Sequence, residues 1–207
     1  MKMIFIRPFI ILFLSYISFA SAQTSPFDIY LEPLNITGLP GIQSYAFGQH
    51  DGKWLIIGGR TDGLHRRQPF AAFDVPGQNS NILVVDPINQ QIWSASLTSL
   101  PIGMQEQLSS TNMEFFQQDS MLYCLGGYGY SNTAADHVTY GNLTAINVPL
   151  VINAIINGSP FNSFIRQIMD AQFAVTGGRL EKIYNTWFLV GGQNFTGEYN
   201  PMGGPTY

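Results

Sequence analysis

Trp54-Leu55-Ile56-Ile57-Gly58-Gly59 is written three times in this chain, and its reading decides the fold. It returns as Leu122-Tyr123-Cys124-Leu125-Gly126-Gly127 and as Trp187-Phe188-Leu189-Val190-Gly191-Gly192. Each copy is a short apolar run ending in a glycine pair, which reads as a fully buried strand stopped by a tight turn. Glycine there permits positive φ and a close passage of backbone past backbone.

The spacing marks a true repeat: Gly59, Gly127 and Gly192 follow one another at nearly equal intervals. Upstream of the first copy stands Tyr45 to Lys53, and upstream of the second Met113 to Met121, aligned without a gap. Before the third, Phe173-Ala174-Val175-Thr176 takes the same part and the turn lengthens, from Gly177 to Asn185. Each unit therefore begins strand, polar turn, buried strand, Gly-Gly: a β-hairpin. Three hairpins at one period predict an all-β radial or stacked repeat fold.

Residues 1–22 read as a signal peptide outside the fold. Lys2 and Arg7 lead, Phe9 to Phe19 is apolar, and Ala20-Ser21-Ala22 is a small-x-small cleavage site. Cleavage before Gln23 would leave 23–207 as the exported chain, and no later run is long enough to span a bilayer. The expected location is secreted, periplasmic or cell-surface. A net charge of −4 with only 11% charged residues offers no basic stripe for nucleic acid. The single cysteine, Cys124, allows no internal disulfide and sits in a buried-strand run as a small core residue.

In chain order, 23–43 is a leading segment in which Asp28 to Leu34 is a candidate strand. Arg60 to Gln78 is a long loop, and its His65-Arg66-Arg67 is a candidate site for an anionic group. Asn81 to Pro87 and Gln90 to Leu97 complete four strands of the first unit. The second unit continues through a loop, Tyr128 to Asn132, and a strand, Leu143 to Val151. Asn153 to Gly158 is its weaker fourth strand, and Phe164 to Met169 leads back to the third hairpin.

Four strands, Gly-Gly closing the second and Trp93 on the fourth after the Ile82 to Asp86 strand, resemble the kelch repeat. The resemblance covers about Ser44 to Gly197. It implies a kelch-type β-propeller with four-stranded blades across 44–207, here about two full blades and part of a third. Rings of this kind close with about four to eight blades, so the sequence reads as a fragment of a longer, exported bacterial-type protein. The units exceed the usual kelch period of about 50 residues, and the second lacks a counterpart of Trp93.

The resemblance also implies a ligand face, made of residues just after Gly-Gly and just before the first strand. By register these are Arg60, Tyr128 and Gln193, then Gln43, Asn112 and Gln172. Amides, a ring and one Arg suit a protein or carbohydrate ligand. The implied function is an exported binding or scaffolding module without cofactor or metal. The alternative is an exported carbohydrate-active kelch enzyme, a sugar mutarotase or a copper radical oxidase. No His or Cys spacing for a metal, no Gly-x-Ser-x-Gly and no P-loop occurs.

Overall fold

The structure, a computed structural model, describes residues 27–64 and 72–200. Residues 27–33 belong to a unit separate from the one that starts at Leu34. The candidate strand at Asp28 to Leu34 is not formed: the segment is irregular, with Ile29, Tyr30 and Leu31 exposed. A strand exists by its ladder, and Pro33 removes one donor from a stretch that no other strand pairs with among the described residues.

The fold is all-β, built from antiparallel strands. β1 (Ala46–His50), β2 (Lys53–Ile57), β3 (Asn81–Asp86) and β4 (Gln91–Ser96) form one sheet in sequence order. Helix α1 (Ile102–Leu108) leads on to the next unit. There β5 (Glu114–Gln118), β6 (Met121–Leu125), β9 (Asn142–Asn147) and β10 (Ile165–Met169) form a second sheet of the same up-and-down course. Between β6 and β9 the chain inserts a separate hairpin, β7 (Tyr128–Ser131) with β8 (Asp136–Thr139). β11 (Thr176–Ile183) and β12 (Thr186–Gln193) pair as the third hairpin.

The first two hairpins begin where the repeat placed them and the third begins later, at Thr176, and all three turn in two residues. Asp51-Gly52, Asp119-Ser120 and Tyr184-Asn185 connect the paired ends, and Asp51, Asp119 and Tyr184 have positive φ, as tight hairpins require. The third hairpin thus corrects the expected long turn. Gly177 to Ile183 is strand, and Phe173 ends a short 3-10 turn instead. Its glycines pair within the ladder, Gly178 opposite Gly191.

Two further stretches differ from the sequence reading. The expected strand Leu143 to Val151 ends at Asn147, and the expected strand Asn153 to Gly158 is absent. Helix α2 (Val148–Ile156) occupies both places, and the true fourth strand is β10. Pro149 favours the first helical turn, and the Asn147 side chain accepts from the Leu150 N–H. Val148, Val151, Ile152 and Ile155 then fall on one face and bury it. Tyr128 to Asn132, expected as a loop, is mostly strand β7.

Both faces of the first sheet are covered. Leu55, Ile57, Ile82 and Val84 join Leu122, Cys124 and Ile146 of the second sheet and the apolar side of α2 in the main core. Ile56, Leu83 and Val85 face the other way, onto Ile36, Leu39 and Ile42. That is why Trp54 to Ile57 reads as a continuous apolar run. Cys124 is fully buried, and burial pushes its thiol up to about 12.

The repeats are also tied to one another at matching positions. Asn112 N–H donates to Ser44 O at 3.0 Å, and Gly177 N–H donates to Asn112 O at 3.1 Å. All three residues are left-handed, with φ of 54°, 53° and 72° for Ser44, Asn112 and Gly177. Beside them, Gly59 N–H donates to Ser110 O and Gly127 N–H to Val175 O, at 2.8 and 2.9 Å. At the opposite strand ends, Gln117 exchanges two bonds with the Gln49 backbone, and Lys182 reaches Gln118.

Candidate functional site

The glycine pairs end their strands in one conformation: φ is 67° and 84° at Gly58-Gly59, 68° and 94° at Gly126-Gly127, 69° and 84° at Gly191-Gly192. The residue after each pair then bridges back to the start of its own unit: Arg60 to Gln43, Tyr128 to Thr111, Gln193 to Thr176. The equivalent positions before the first strand are therefore Gln43, Thr111 and Thr176. The register read from sequence gives Asn112 and Gln172 instead, one position late and four early, because it begins the third hairpin at Phe173.

From this shared base each unit sends out an excursion. Residues 60–78 leave the first sheet and return through an Asn79 N–H to Gly59 O bond. The β7–β8 hairpin leaves the second and returns through Tyr140 N–H to Gly127 O. The chain after Gln193 runs alongside, with Gly197 N–H on His137 O. Phe73, Tyr128, Phe195 and Tyr199 meet there edge to face, their ring centroids 5.2 to 5.6 Å apart. His137 stacks on Tyr128 at 5.7 Å, and its Nε2 lies 3.1 Å from Phe73 O.

These rings border a cavity of about 430 Å³, with Asn112, Thr176 and Gln193 as its polar side chains and Gly177 and Gly192 opening its floor. The volume lies within the range of small-ligand sites. Among the described lining residues none is charged. Asn112 O anchors the floor by accepting both Gly177 N–H and Thr176 Oγ1–H.

The predicted face residues part company here. Asn112, Tyr128 and Gln193 line this one cavity. Tyr128 offers its ring only, since its hydroxyl donates to Gly197 O and accepts from Tyr199 N–H, both at 2.8 Å. Its burial pushes its phenol well above the ordinary range. Arg60 is turned inward, 2% exposed, with two bonds to the Asp62 carboxylate and one to Asp74 O, and it lies over the Phe73 ring at 5.5 Å. It braces the excursion. Gln43 reaches Gly63 O, and Gln172 is exposed in the 3-10 turn at Ala171–Phe173, outside the cavity lining. His65, Arg66 and Arg67 lie outside the described residues.

Phe73, Phe195, Tyr199 and Thr176 escape a reading of the sequence. The rings carry one faint signal there, aromatic residues within loops that leave a Gly-Gly turn. Among the described residues no group of His, Cys, Asp and Glu is placed to hold a metal ion, and no helix is long and apolar enough to cross a membrane. The chain matches no family model and no curated protein.

Proposed function

We propose that this chain forms successive four-stranded blades of a kelch-type β-propeller and serves, outside the cytoplasm, as a binding module. Its ligand, an uncharged saccharide or an uncharged segment of a protein, enters the cavity between Tyr128, Gln193 and Tyr199. The observation that carries this reading is convergence: the segments that leave three successive Gly-Gly turns each contribute a ring to one cavity. Rings supply apolar faces there, and two amides and a hydroxyl supply directional bonds, the mixture suited to neutral polar ligands. Two up-and-down sheets joined at matching residues support the blade reading, and the Met1 to Ala22 pattern supports export.

The test is calorimetric titration with a panel of neutral oligosaccharides and uncharged peptides. Saturable binding without turnover, weakened on the order of tenfold by Gln193→Ala and by Tyr199→Ala, is expected. Binding that both variants leave unchanged would move the ligand elsewhere. Turnover of a free sugar would make the chain an enzyme.

A further inference from the structure

Glu114 opens β5 at a place where the repeat needs no charge. Its counterpart in the first unit is Ala46, which opens β1 and is fully buried in the main core. Glu114 is only 2% exposed. Its Oε1 accepts the Gly178 N–H of β11 at 2.5 Å, across the joint between the second sheet and the third hairpin, and its Oε2 has no hydrogen-bond partner. Strand β5 leaves Asn112, and β11 leads from Thr176 and Gly177 into Gly178. Carboxyl and cavity floor thus belong to the same joint, two residues apart on both strands.

We propose that Glu114 makes this joint respond to pH, closing it when the carboxyl is neutral and loosening it when the carboxyl ionises. Its bearing on ligand binding rests on the reading of the cavity given above; the response of the joint does not. The physical basis is the uneven satisfaction of the two oxygens. A neutral carboxyl can be buried with one oxygen unbonded at moderate cost, whereas an ionised one demands water at Oε2. Burial raises the carboxyl from 4.5 to about 7, opposed only by the Gly178 N–H and its own backbone N–H. The ionisable groups on the flanking strands are His50 on β1, Tyr123 and Cys124 on β6, and Arg179, Glu181 and Lys182 on β11. Arg179 is paired with Glu181 and Lys182 is held by Gln118, and none of the six is among the causes of the shift.

The raised value fixes the sign. The joint is fully stabilised below about pH 4.5, and that stabilisation is lost as pH rises through about 7. Trp187 reports on it, because its ring packs against Phe116 and Tyr123 of the second sheet at 5.5 and 4.9 Å. Fluorine NMR of the chain labelled with 5-fluorotryptophan separates Trp187 from Trp54 and Trp93. The expected result is a Trp187 shift with a midpoint near pH 7 that vanishes in Glu114→Gln. The melting temperature should fall by roughly 5 °C between pH 5 and 8 relative to Glu114→Gln. If wild type and Glu114→Gln titrate alike at Trp187, the proposal is wrong. Glu114→Ala, which restores the residue of the first unit, is the second check: a surviving pH response there would overturn it equally. All readouts are made without ligand, so their failure is separate from failure of the binding reading.

Discussion

Gly126 and Gly191 are the first glycines of their pairs, with φ of 68° and 69°, yet they differ in what surrounds them. A Cβ on Gly126 would stand 1.9 Å from Val175 O, whereas one on Gly191 would meet nothing within 4 Å. Gly191→Ala should therefore cost only the left-handed strain, about 1 kcal/mol. Gly126→Ala must also displace backbone of the neighbouring unit, and should cost about 3 kcal/mol or more. Urea unfolding of the two variants measures the difference, and equal costs would contradict the close approach. At this scale the sequence is most readable, because a glycine pair closing an apolar run answers to backbone geometry alone. Arg60 is least so. Nothing in its neighbours announces that Asp62 and Asp74 O fold it inward.

Elements are legible where they follow the repeat and illegible where they interrupt it. Val148 to Ile156 is rich in β-branched residues and reads as strand by propensity, but packing of its apolar face on the core overrides that preference. Helix α1 is held by a different device. Gln107, fully buried, donates to Cys124 O, Gly126 O and Asn142 O and accepts from Thr144 and Gln167. A single glutamine thus ties helix α1 to β6, β9 and β10 near one end of the second sheet. Gln107→Leu keeps the volume and removes these five bonds from a buried site, so a loss of about 2 to 4 kcal/mol is expected in chemical unfolding. A loss of only about 0.5 kcal/mol would mean that water replaces the amide at little cost.

The molecule as a whole should have a stability maximum in mildly acidic solution, because two carboxyls act in opposite directions. Asp86 accepts from Asn89 N–H, Asn89 Nδ2–H and Ile88 N–H and lies 3.6 Å from Lys53, and these bonds, the first above all, hold it below its usual 3.8. Its stabilisation is present above about pH 4 and disappears as pH falls further. Glu114 removes stability as pH rises from 4.5 toward 7. Melting temperature against pH should peak between about 4 and 5. Asp86→Asn should flatten the acid limb alone, and a peak above pH 7 would refute the assignment. The hairpin period makes the sheets legible at this scale and marks Asn112, Tyr128 and Gln193 of the cavity, whereas Phe73, Phe195 and Tyr199 come from excursions with little shared pattern. Those excursions differ in length, the one at 60–78 being the longer and the one at 128–139 the shorter, yet one N–H to O bond onto the second glycine closes each. The clasp is indifferent to its cargo. A lineage, or an engineer, can rewrite the middle of the first insert and keep the frame that presents it, so long as the residue after the glycine pair still bridges back to Gln43.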